Sequence, residues 1–230
     1  MKNKIKELMR QNLIQSSITI IVVIVFCFQN YPILAQSPNY IWAKSAGGLL
    51  QDEVLGCSSD ANGNVFITGC FSSSSITFGT YILNNMSTDT YDMYIAKYDK
   101  DGNVLWAQSA GGIQGDLGCC CSTDVNGNVF VVGYFESSSL TFGDTTINNT
   151  GSINMYIVKY DPSGNVLWAK SSGGTYADIA IRCVTDSYGN IIVVGKYFGS
   201  SLTFGTTTIT HEGGGDIFLV KYDASGNVLW

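Results

Sequence analysis

An all-β chain built from three tandem copies of one unit of about 62 residues is what this sequence predicts, on three observations. The phrase Ile41-Trp42-Ala43-Lys44-Ser45-Ala46-Gly47-Gly48 returns at Leu105–Gly112 and Leu167–Gly174, and Leu229-Trp230 begins it again. Trp42, Trp106, Trp168 and Trp230 are thus spaced by 64, 62 and 62 residues. Each copy also holds Asp-x-x-Gly-Asn twice, with aspartates at Asp60, Asp99, Asp124, Asp161, Asp186 and Asp223 and glycines at Gly63, Gly102, Gly127, Gly164, Gly189 and Gly226. Composition agrees: 26 Gly against 3 Pro suits tight turns between short strands, and 45% hydrophobic residues can fill a core.

Residues 1–35 have the layout of a secretory signal peptide. Lys2, Lys4, Lys6 and Arg10 precede an apolar run from Ile18 to Phe28, and Ala35-Gln36 is the expected cleavage point. The run is short of the ~20 residues that span a bilayer, so no transmembrane segment is expected after cleavage. The mature chain would hold 8 Lys+Arg against 17 Asp+Glu, a net charge of −9. With no basic cluster, that balance excludes nucleic acid as an expected partner.

The remaining 36–230 reads as one repeat domain, with units near 49–108, 113–170 and 175–230 behind an extra leading strand at 40–46. In each unit the turn aspartate caps a type I turn and the glycine takes the left-handed conformation of a bulged hairpin. A calcium loop at Asp99-Lys100-Asp101-Gly102-Asn103 is disfavoured, because Ala110 stands where such a loop needs Glu. The strands draft as Asp116–Ser122, Val129–Tyr134, Met155–Tyr160 and Val166–Ser171 and their equivalents. Between the second and third lies a small extra hairpin, as at Leu140-Thr141-Phe142-Gly143-Asp144.

Counting outward from the turn places Trp168 opposite Val158, Trp106 opposite Ala96 and Trp230 opposite Val220. Both faces of each sheet are then apolar, so each must be sandwiched between neighbours, as blades are in a β-propeller. The tryptophans are expected in that core. The fold expected is a propeller-like array of three blades, each of four antiparallel strands plus an inserted hairpin, in an incomplete ring. Three blades are too few to close, so the sequence reads as a fragment, or as a chain that self-associates through exposed blade faces.

The phrases Gly-Asn-Val-Phe-x-x-Gly and Lys-Tyr-Asp-x-x-Gly-Asn-Val-Leu-Trp, with Asp-Met-Tyr or Asp-Ile-Phe ahead of the Lys, resemble the bacterial SBBP repeats, named for the seven-bladed β-propeller. The resemblance spans nearly all of 40–230. It implies exported or surface-located proteins and no shared catalytic site.

Candidate chemistry is sparse. Cys57, Cys121 and Cys183 recur at one place per unit; a thiol ring for a metal is weighed against a small buried hydrophobe, and the latter is preferred. Cys119-Cys120-Cys121 marks a reactive-thiol candidate. Parity sets Cys57 opposite Ile67 and Cys70 opposite Val54, on different faces, which speaks against a disulfide between them. Asp52, Asp116 and Asp178 are expected to begin strands and stay solvated. Lys97, Lys159 and Lys221 are expected along blade edges. His211 is the one histidine, and Asn85 and Asn148 head glycosylation sequons. No catalytic, metal or cofactor residue is assigned. The functional expectation is an exported or cell-surface, non-enzymatic scaffold whose variable inserts (81–91, 145–153, 206–215) bind protein or glycan. The alternative is a propeller-type hydrolase or lyase working in the central channel.

Overall fold

A computed structural model describes residues 41–210 and 213–230. The expected signal peptide, Tyr40 and His211 lie outside the described residues. What is described is all-β, in three repeated units that do not close a ring.

The first unit is a sheet of β1 (Asp52–Ser59), β2 (Val65–Phe71), β5 (Asp92–Tyr98) and β6 (Val104–Ala110), paired in that order. The second repeats it with β7 (Asp116–Thr123), β8 (Val129–Phe135), β11 (Asn154–Tyr160) and β12 (Val166–Ser172). The third has β13 (Asp178–Thr185), β14 (Ile191–Tyr197) and β17 (Asp216–Tyr222), and its fourth strand is reduced to a bridge from Val228 to Tyr222. Between second and third strands sit the inserts: β3 (Ser75–Phe78) with β4 (Tyr81–Asn84), β9 (Ser139–Phe142) with β10 (Thr145–Asn148), and β15 (Ser201–Phe204) with β16 (Thr207–Thr210). The expected leading strand is not one. Residues 42–46 pair with no sheet.

The turn chemistry is identical six times. In Asp161–Asn165, the Asp161 carboxylate accepts from the Ser163 and Asn165 amides at 2.8 and 2.9 Å and from Asn165 Nδ2 at 2.8 Å. The Gly164 amide donates to the Asp161 carbonyl, and Gly164 sits at φ 91. That geometry favours glycine.

Two bulges per unit reset the register. The first strand holds one extra residue between Gly118 and Cys120, and equivalently between Val54 and Gly56 and between Ala180 and Arg182. It accounts for the last glycine of Gly-Asn-Val-Phe-x-x-Gly: a Cβ on Gly133 would lie 1.9 Å from the Leu117 carbonyl oxygen. The second bulge follows the turn, where Tyr160 pairs with Val166 but Lys159 pairs with Trp168. Trp168 therefore faces Lys159, not Val158, and Trp106 faces Lys97, not Ala96. Trp230 likewise accepts at its carbonyl from the Lys221 amide. Parity counting failed because each bulge adds one residue. For the same reason Cys70 pairs with Glu53 rather than Val54, while Cys57 does pair with Ile67.

Sheet-on-sheet stacking survives the correction. Tyr156, Ile157 and Val158 point alternately to opposite faces and are all buried. The cluster between units one and two joins Phe66, Met93, Ile95 and Trp106 to Val131, Tyr156, Val158 and Tyr160, with Leu140 and Phe142 of the insert closing its margin. The next cluster joins Phe130, Val132, Met155 and Ile157 to Ile191, Val193, Phe218 and Val220. Each such side chain contributes about 1.5–3 kcal/mol through burial.

Candidate functional site

The unit junction is where most of the recurring polar residues converge. Trp106 Nε1 donates to the Pro162 carbonyl at 3.1 Å, and Lys97 Nζ donates to the same oxygen at 2.8 Å. One unit later Trp168 Nε1 and Lys159 Nζ share the Ala224 carbonyl, at 3.2 and 3.1 Å. The acceptor in each case follows the second turn aspartate of the next unit. The indole also lies over that turn's glycine, so a Cβ on Gly164 would come within 3.0 Å of the Trp106 ring. Trp42 makes the same contact without a sheet behind it: its Nε1 donates to the Lys100 carbonyl at 3.0 Å and its ring stacks on Tyr98. Trp106 is buried as expected, Trp42 and Trp168 are half-buried, and Trp230 is 54% exposed.

The recurring lysines are not at blade edges. Lys97 and Lys159 are 4% exposed, buried at the junction beside the tryptophans, which the bulge in the fourth strand sets opposite them. Lys159 Nζ also stands 3.3 Å from Asp124 and over the Phe130 ring, and Lys221 pairs with Asp186 at 2.8 Å. The Lys221 hydrogen bond, with that of Asn190, holds the Asp186 carboxyl well below the usual carboxylate range.

The strand-initial aspartates are not solvated either. Asp116 and Asp178 are fully buried and Asp52 is half-buried. Asp116 accepts from the Glu136 and Ser137 amides and from Ser137 Oγ at 2.7 Å, thereby tying the start of β7 to the end of β8. Burial pushes its carboxyl up to about 6 against those hydrogen bonds, and nearby Asp92 adds to the rise. Asp92, buried at the start of β5, is also pushed up to about 6 by burial, opposed by the Met86 and Gly112 amides.

Asp92 stands on the wall of a cleft of about 430 Å³ between the first and second inserts, with Met86, Ser109, Ile113, Ser138, Ser139 and Thr141. A second cleft of about 630 Å³ lies between the second insert and the third unit, among Thr146, Lys170, Ser171, Thr206, Asn227 and Val228. Both are rich in hydroxyls, amides and small apolar groups. Neither gathers an acid and a base of unlike character, and among the described residues no three His, Cys, Asp or Glu side chains converge as metal ligands. These clefts are the candidate binding sites. They were not legible in the sequence, because they arise between units.

Asn85 is committed elsewhere: its Nδ2 donates to the Phe71 and Thr90 carbonyls and its Oδ1 accepts from the Ser87 amide. The six described cysteines are free thiols. Cys121 is the small buried group expected of its position, but Cys57 is exposed and Cys183 only half-buried. The inner strands β1, β7 and β13 carry these thiols side by side, linked further along by Ser58 to Thr123 at 3.3 Å and Ser122 to Thr185 at 3.0 Å.

No protein-family profile matches the chain. It is 29% identical over 158 residues, 63% of its length, to an uncharacterised WD repeat-containing protein of Acanthamoeba polyphaga mimivirus. It is 28% identical over 139 residues, 59% of its length, to the regulatory protein FlaEY of Caulobacter vibrioides. The chain is a repeat β-protein similar to one with WD repeats. It spans only 11% and 14% of those two proteins. A solved protein of unknown function from Bacteroides caccae aligns over 77% of this chain and 80% of its own, at 11% identity and a TM-score of 0.28.

Proposed function

We propose that the chain is part of an exported or cell-surface, non-enzymatic scaffold of SBBP type whose insert hairpins and inter-unit clefts bind a glycan or protein. The observation that carries this reading is the contrast between invariant framework and varied rim. Turns, bulges, tryptophans and lysines repeat and are spent on holding units together, whereas the cleft walls differ from junction to junction. Recognition on a rigid scaffold usually sits at such variable rims. Hydroxyls beside small apolar patches suit polyhydroxylated ligands through many modest hydrogen bonds.

A glycan panel tests it. Wild-type chain should be retained by a subset of the panel with no product released, and Met86→Asp with Ile113→Asp, both at exposed positions, should reduce retention at least tenfold. Release of shortened glycans would favour the hydrolase or lyase alternative. Retention of no glycan and no candidate protein ligand would remove the proposal.

A further inference from the structure

We propose that Cys120 and Cys183 are a modification site, forming a disulfide that ties the inner strands of the second and third units together. Cys120 sits just past the bulge of β7, and its sulfur lies 3.8 Å from the Cys183 carbonyl on the neighbouring β13. The Cys183 side chain is also the strongest influence on the Cys120 thiol, and Cys120 on that of Cys183. Both residues are partly exposed.

The pair is particular to this junction. The position of Cys120 is Gly56 in the first unit, where a Cβ would lie 2.7 Å from the Cys120 Cα and no side chain fits. In the third unit it is Arg182. Electrostatics divide the two roles. The Cys183 side chain, with help from Arg182, draws Cys120 down to about 6, and Cys120 with burial pushes Cys183 well above its ordinary value. One group is then a thiolate at neutral pH and its neighbour a thiol, the state from which thiol–disulfide exchange starts. Burial pushes Cys119 up to about 12 and raises Cys121 further, which leaves both poor nucleophiles.

The oxidant required is a low-molecular-weight disulfide, RS–SR. The Cys120 thiolate attacks one sulfur and expels RS⁻, giving a mixed disulfide. The expelled thiolate takes the Cys183 proton and leaves as RSH. Cys183 then attacks the Cys120 sulfur and displaces the second RS⁻, which is protonated by solvent. Two protein thiols are oxidised to one disulfide and RS–SR is reduced to two RSH.

The test is peptide mapping of the full chain after incubation with oxidised glutathione at pH 7, alkylation and tryptic digestion without reduction. Cleavage after Lys100, Lys159, Arg182 and Lys196 puts Cys120 in peptide 101–159 and Cys183 in 183–196. These should appear joined, two hydrogens lighter than their sum, in wild type and in Cys119→Ser and Cys121→Ser. Cys183→Ser should instead keep glutathione on Cys120. The melting temperature should rise on oxidation in wild type and not in Cys183→Ser. Linkage of 101–159 to the peptide holding Cys57, a bond internal to 101–159, or full alkylation of Cys120 in a chain with intact far-UV circular dichroism would each overturn the proposal.

Discussion

At the scale of single residues, the repeat supplies its own controls. Asp92 opens β5, Asn154 opens β11, and the two occupy the same setting: a Cβ on Gly111 would meet Asp92, and one on Gly173 would meet Asn154. Burial that an amide tolerates is costly to a carboxylate. The Asp92 carboxyl, raised to about 6 in the fold, holds its proton more tightly than in the unfolded chain at about 3.9. Its contribution to stability is therefore complete below pH 4 and lost as pH rises through 6. Asp92→Asn should leave stability at pH 4 unchanged, raise it at pH 7 by on the order of 1 kcal/mol, and flatten the slope between. Asp116 titrates in the same direction and keeps part of the slope. Urea unfolding at the two pH values decides; a variant weaker than wild type at pH 7 would show that the charge is needed.

At the scale of elements, the hairpin turn does two jobs: it reverses the chain, and it presents one carbonyl to the preceding unit. Two donors converge on that oxygen, so either can satisfy it alone. Trp106→Phe and Lys97→Met should each cost about 1 kcal/mol, and together they should cost about 0.5–1 kcal/mol more than their sum, because only the double variant leaves the Pro162 carbonyl bare. Additive losses in urea unfolding would mean that the two donors act independently. The sequence displayed the parts of this latch, since tryptophan, lysine and turn all recur in it. It also displayed the strands, the inserts and the two-sided burial. The pairing was hidden, because a bulge leaves no composition of its own: Leu167 is an ordinary strand residue, and only the ladder reveals that it has no partner. The usual preference of charged side chains puts Lys97 and Lys159 at edges and Asp116 in solvent, and the partners that bury them come from a neighbouring unit or strand end. The Cys120–Cys183 contact was further out of reach, being set by which strands of different units become neighbours.

At the scale of the molecule, one strand pattern is seen in two environments. Met155, Ile157 and Lys159 of β11 are buried beneath the third unit, while their counterparts Ile217 and Leu219 of β17 are 86% and 54% exposed. Val194 is partly exposed on the same face, where Val132 of the second unit is buried. The difference lies in the neighbour and not in the sequence. At both internal junctions this back face is covered by the front face of another unit, whereas in the third unit it is open among the described residues. An apolar face of this kind is expected to draw a second copy of the chain onto it. The 230-residue chain is expected to sediment as concentration-dependent species larger than a monomer. Ile217→Lys with Leu219→Glu, both solvent-facing in the single chain, should return it to monomer with strand content intact by circular dichroism. A wild-type chain that sediments as a monomer at micromolar concentration would mean that these side chains tolerate water, and stacking would then not be what requires both faces to be apolar.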